Sequence, residues 1–200
     1  MNSLRYVYWL EDGGKSEQQE VRGRTGVEVQ EGPEAVLTGT GFWVGSQAYL
    51  EFLSSNGLFP DIRGLLTGFS VESAADLWAR SAAIRQLIMR TALPEHVRRE
   101  IATSYEELAS PTGGLNPVVT VHGTVVVTAA GQAVERLIEQ CDPYMDVSGS
   151  EQVVQHVQRC WARLWVPRAI YCREELGCHH LDALPKVLVE RVLAQEAAIA

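Results

Sequence analysis

His122 is the lone imidazole within Val118–Ala130, a run of small, β-branched and uncharged residues. A ring that titrates near neutrality can pass a proton in either direction, and the hydroxyls of Thr120 and Thr124 beside it could hold a ligand. The same residue types also suit a core histidine whose nitrogens are satisfied internally, so position alone leaves both roles open. Cys172, Cys178, His179 and His180 fall within nine residues, which raises zinc. Their spacing fits no usual ligand pair, and adjacent histidines diverge on any regular element; a helix-end surface cluster and no metal are expected. Gly39, Gly41 and Gly45 precede a helix in the manner of a phosphate-binding turn, but the spacing is not GxGxxG and no acidic partner follows at the required distance. Lys15 and Arg24 each follow a glycine near the N-terminus and by themselves are loop charges. His96 and His156 fall on polar parts of helices and are expected to be solvated.

The elements that must position these groups are legible in outline. Arg5–Leu10 is rich in aromatic and β-branched residues and reads as a strand, and residues 11–35 read as loop. Ala35–Val44 reads as a strand broken by glycines. Ser46 is expected to cap a helix that stops at Asn56-Gly57. Ser70–Arg90 predicts a helix burying Ala74, Leu77, Trp78, Ala82, Ile84, Leu87 and Ile88. Pro94 opens the next helix, with Val97, Ile101, Tyr105 and Leu108 inward, and Ser110–Pro117 reads as a linker. Val118–Ala130 predicts a buried strand or hairpin with Gly123 as bend or bulge, and Tyr144–Val147 a further strand. Ser150 is expected to cap a helix through Trp165 with Val153, Val154, Val157, Trp161 and Leu164 inward. Pro167 starts another helix ending near Gly177, and Lys186–Leu193 reads as the last strand.

The chain has 200 residues, 46% hydrophobic and 21% charged, enough for one domain with its own core. A single domain over 1–200 is expected, helical over about 46–110 and both strand-rich and helical over about 118–193. Seventeen basic against 25 acidic residues leave a net charge of −8. That disfavours nucleic acid or an anionic membrane as the main partner. No apolar run approaches the ~20 residues that span a bilayer. Four scattered cysteines without a CxxC pair, and an N-terminus without an apolar signal core, predict a reduced, cytoplasmic protein.

Several stretches, in order, resemble one family. Gly41-Phe42 leading into Gln47-Ala48-Tyr49-Leu50-Glu51-Phe52-Leu53, then Asn56-Gly57-Leu58, resembles the PGF…EAYREFL…NGL stretch of phosphoenolpyruvate synthases, pyruvate phosphate dikinases and rifampicin phosphotransferases. Ile84–Ile88, Leu93-Pro94 and Ile101…Tyr105–Leu108 are similar to the helix pair that follows there. Cys160-Trp161-Ala162-Arg163-Leu164, Arg168-Ala169-Ile170-Tyr171 and Arg173 resemble the CWASLxxxRAxxYR signature. Val187–Leu193 is similar to the VVVQRMV strand, and Tyr6–Leu10 to the YVLWF opening. The resemblance implies an α+β fold, a partial ATP-grasp-like domain with a mixed or antiparallel sheet and packed helices. In such proteins that domain passes phosphate from ATP to a histidine on a separate swivelling domain.

The departures from the family pattern fall on its chemistry. The GGK lysine has two possible counterparts, Lys15 by letters and Arg24 by spacing. The VRSSA arginine falls on His122, and the acidic ATAED segment on Val126–Ala130. In GQYETFLNV the glycine becomes Glu139, while Gln140 and Tyr144–Val147 remain, and Glu190 replaces the glutamine of VVVQ. The chain closes at Ala200, before the place where the resemblance would put the glutamate and glutamine that hold Mg²⁺.

Phosphoryl transfer depends on cations around the phosphates, and one lost contact costs ~2–4 kcal/mol of transition-state stabilisation. An arginine is always charged, whereas an imidazole of ordinary pKa is mostly neutral at neutral pH. The sequence therefore predicts a stand-alone protein with no cofactor. It would bind a weakly charged organic ligand in a relined cleft, and if catalytic it would act as a cyclase or isomerase. Candidate catalytic residues are His122, Glu139 and Tyr144; candidate ligand contacts are Thr120, Thr124, Gln140, Glu190, Lys15 and Arg24. The alternative is an ATP- and Mg²⁺-binding fragment or pseudokinase subunit of a phosphoenolpyruvate synthase-like phosphotransferase. A second copy or a partner chain would then cover its truncated face.

Overall fold

The β-branched runs pair into one sheet, because strands with one apolar face are stable only when that face is covered. A computed structural model of the chain describes residues 5–10, 40–109, 116–126 and 143–192. Its strands are β1 (Val7–Trp9), β2 (Gly41–Val44), β3 (Val119–Val126), β4 (Tyr144–Val147) and β5 (Leu184–Arg191). They lie in the order β1-β2-β5-β3-β4, and every pairing is antiparallel. The helices are α1 (Ser46–Ser55), α2 (Leu58–Leu66), α3 (Ala74–Arg90), α4 (Glu95–Ala109), α5 (Ser150–Arg163) and α6 (Pro167–Glu175), with a 3₁₀ turn at His180–Asp182. The fold is α+β with an antiparallel sheet, as the family resemblance implies.

Alternation along β3 separates the two faces of the sheet. Val119, Val121, Gly123 and Val125 are buried, whereas Thr120, His122 and Thr124 are half-buried. Register carries the buried row across the sheet through Val121, Val189 and Phe42, all without exposed surface. Helix α5 lies on this face so closely that a Cβ on Gly123 would sit 3.0 Å from Cys160 Cβ. Trp161 fills the core beneath, its ring centroid 5.6 Å from that of Tyr49 and 5.3 Å from that of Phe52. Each such fully buried side chain contributes ~1.5–3 kcal/mol.

Several expectations need correction. Gly123 is neither bend nor bulge: it pairs in register with Val187, and the irregularity falls between Val119 and Val121, against β4. The buried stripe of α3 is Leu77, Ser81, Ile84 and Ile88. Trp78 is 63% exposed, and Ala74 and Ala82 are exposed too. Ser81 lies within the stripe, its hydroxyl satisfied because Oγ donates to Trp165 O at 2.6 Å. Ser46 and Ser150 are the first residues of their helices, each preceded by a glycine in the capping position. The last strand begins two residues earlier than predicted and ends at Arg191. Residues 35–39, most of the linker and the early loop lie outside the described residues.

Candidate functional site

The face of the sheet turned away from α5 carries most of the described candidates. On it Thr120 pairs with Glu190, His122 with Leu188, and Thr124 with Lys186. Leu188 continues opposite Trp43, and Trp43 opposite Tyr8. The result is a row Tyr8–Trp43–Leu188–His122 across four strands spaced ~4.8 Å apart. Polar pairs flank His122 on either side: Thr120 and Glu190 toward one end of the strands, Thr124 and Lys186 toward the other. Successive same-face residues lie ~6.6 Å apart along a strand, so Lys186 and Glu190 stand ~13 Å from each other with the imidazole row between them.

The backbone around Glu190 is fixed from both sides. Arg191 N donates to Thr40 O at 2.9 Å, and Val192 N to Val118 O at 3.0 Å. Thr120 Oγ1 reaches Glu190 O at 3.5 Å. A Cβ on Gly41 would collide with Val189 O and lie 3.0 Å from Glu190 Cα. This close approach demands glycine at the position matching the family's PGF motif.

Tyr144 stands apart from this group. It pairs with Val121, on the helix-covered face. Its ring packs against His156 at 4.8 Å and lies 4.1 Å beneath the Arg163 guanidinium, both on α5. Burial raises the Tyr144 pKa, and the charge of Arg163 works against that rise. The structure thus brings Thr120, His122, Thr124 and Glu190 together and places Tyr144 on the other side of the sheet. Lys15, Arg24, Glu139 and Gln140 lie outside the described residues. Trp43 and Lys186 were not singled out from the sequence. The period-two pattern of Lys186, Leu188 and Glu190 is the signal that marks Lys186.

The remaining histidines have local partners. His96 Nε2 lies 3.4 Å from Glu51 and its ring 5.6 Å from that of Tyr6. His156 Nδ1 donates to Gln152 O at 2.7 Å and its Nε2 accepts from Arg159. Among the described residues no group of three or more His, Cys, Asp or Glu could hold a metal ion. No described helix is long and apolar enough to cross a membrane.

Residues 13–198 match the family described as pyruvate phosphate dikinase, AMP/ATP-binding domain. The chain belongs to that family. It is 30% identical over 198 residues to the probable phosphoenolpyruvate synthase of Methanocaldococcus jannaschii, covering 98% of this chain and 16% of that protein. To the probable phosphoenolpyruvate synthase of Staphylothermus marinus it is 31% identical, covering 97% of this chain and 23% of the relative. For that of Archaeoglobus fulgidus the figures are 32%, 95% and 25%. The chain spans about a sixth to a quarter of the length of these relatives.

The segment that most resembles the AMP/ATP-binding domain signature serves the framework. Trp165 Nε1 donates to Tyr49 Oη at 3.0 Å. Arg173 is 1% exposed, donates through Nη2 to Leu164 O at 2.7 Å and lies 5.1 Å from the Trp165 ring centroid. Burial pushes the Arg173 pKa down to about 10 and drives the Tyr49 phenol well up. These contacts lock the α5–α6 corner and α1 together, on the side of the molecule that backs the sheet.

Proposed function

We propose that this AMP/ATP-binding-domain scaffold uses the His122 face of its sheet to bind a flat, weakly charged organic ligand rather than a magnesium-bound triphosphate. The charge pattern supports the reading. Among the described residues of β3 and β5 the face offers one ammonium at Lys186, one carboxylate at Glu190 and the imidazole between them. A triphosphate needs several cations and a divalent ion close together, and this set does not fit one. A ligand with an acceptor end toward Lys186 and a donor end toward Glu190 fits it better, with its body over the half-buried Trp43; Leu188, 7% exposed, is already covered. Where the ligand reacts, His122 takes a proton from one ligand atom and returns it at another. The outcome is an isomerisation or cyclisation with no net redox change and no cofactor.

A second reading follows from the family match over residues 13–198. The relatives are named as phosphoenolpyruvate synthases, so the chain would be the ATP-binding part of a similar phosphotransferase. Isothermal titration with ATP and Mg²⁺ separates the two. The first reading expects no saturable heat, with any affinity weaker than about millimolar, a free energy of only ~4 kcal/mol. Binding in the low micromolar range overturns it and establishes the second.

A further inference from the structure

The corner between α6 and β5 contains a buried cation held by a titratable group. Among the described residues Arg173 has two acceptors: Leu164 O at 2.7 Å from Nη2, and His180 Nδ1 at 3.2 Å from Nε. Its Nη1 is buried without a hydrogen-bond partner among the described residues. The other nitrogen of His180, Nε2, lies 2.9 Å from Glu174 Oε2. An arginine Nε–H can only donate, so Nδ1 of His180 must present its lone pair. The ring proton therefore sits on Nε2 and donates to Glu174. Cys178 N donates to Arg173 O at 2.8 Å, closing the loop that leads through the 3₁₀ turn into β5.

We propose that His180 is an acid-released latch: neutral, it fastens Arg173 to the α6–β5 corner, and protonated, it lets that corner and the first residues of β5 open. Protonation at Nδ1 sets one N–H against another and places a second positive charge beside a buried guanidinium. The charged groups around the ring are Arg173 and Glu174 from α6, with His179 and Asp182, 3.5 Å apart, from its own turn. From the α2–α3 connection the Phe69 ring packs against it at 6.0 Å. Burial first and Arg173 second hold the His180 pKa below its ordinary 6.5, outweighing the pull of Glu174. Release therefore sets in only as pH falls below that ordinary value. Release removes one of the two acceptors that retain Arg173.

Two measurements on the full chain test this. Imidazole ¹⁵N shifts near neutral pH should show His180 protonated on Nε2; a proton on Nδ1 overturns the proposal. Amide hydrogen exchange across residues 178–184, corrected for intrinsic rate, should accelerate several-fold, at most about tenfold for one linked proton, between about pH 7.5 and 5.5. The amides of α4 should keep their protection over the same range. His180→Gln retains an acceptor for Arg173 but cannot titrate, so its exchange should stay flat with pH. Glu174→Gln should shift the wild-type transition to lower pH. Exchange that is flat with pH in the wild type, or α4 opening in parallel, overturns the latch. If His180→Gln does not fold, the tautomer and the wild-type exchange profile still decide it.

Discussion

Tyr105 joins three segments through a single oxygen. Its ring is 1% exposed within the core, while its hydroxyl donates to Pro117 O at 2.8 Å and accepts from Gly149 N at 2.7 Å. One contact fixes the entry to β3 and the other the entry to α5. Tyr105→Phe keeps the ring and leaves both backbone groups unpaired, an effect of ~1–3 kcal/mol for a buried polar group. Urea unfolding should show a loss of about 2 kcal/mol with unchanged slope; a loss under about 0.5 kcal/mol would mean that water restores both bonds. The ring was legible in the sequence, since Val97, Ile101, Tyr105 and Leu108 repeat at helical spacing and all four are buried. The hydroxyl partners were not, because they lie 12 and 44 residues away in the chain. The same limit separates His122 from Tyr144. An imidazole in an apolar strand is conspicuous in sequence, but the face on which Tyr144 lands depends on its pairing with Val121 beside a register shift.

Helix α5 and strand β3 touch where neither carries bulk. Gly123 faces Cys160, and a Cβ there would lie 3.0 Å from Cys160 Cβ and 3.3 Å from its Sγ. The nearest atom is the root of a side chain on a packed helix, so relief requires the helix itself to retreat. Gly123→Val should cost ~1–3 kcal/mol by overpacking, and Gly123→Ala less. Thermal midpoints should fall in that order, and a midpoint unchanged in both variants would show that α5 shifts freely. β3 itself is readable from its β-branched run, which predicts a strand buried throughout; Thr120, His122 and Thr124 are instead half-buried on the second face. Apolar type alone predicts Trp78 inward on α3, whereas Trp78 is 63% exposed and Ser81 is buried. The small hydroxyl lies inside because it satisfies Trp165 O, a partner 84 residues away that no local pattern reveals. Family resemblance located the α5–α6 corner, yet the physical work of Arg173 became visible only from its contacts.

The molecule as a whole carries a net charge of −8, and its acid response should come in two separate steps. The first belongs to His180, whose pKa in the fold is held below 6.5 by burial and by Arg173. Below that value the unfolded chain binds the proton more readily than the folded one, so stability is full above about pH 6.5 and declines as pH falls. The second belongs to ion-paired carboxylates at the surface. The Asp76 carboxyl is held below its ordinary 3.8 by a hydrogen bond from Arg80 and another from the backbone of Ser70. Arg98 does the same for Glu95, whose ordinary value is 4.5. Their contribution is present above those values and disappears as pH drops through the lowered ones. Unfolding free energy measured against pH should therefore descend once between neutrality and mild acid and again below about pH 4.5. His180→Gln should abolish the first descent and leave the second. Added salt should act in the opposite sense, flattening the second because solvent-exposed pairs are screened, while the buried Arg173–His180 contact keeps the first. A single descent confined to the carboxylate range in the wild type would show that His180 titrates alike in both states and does not link pH to folding.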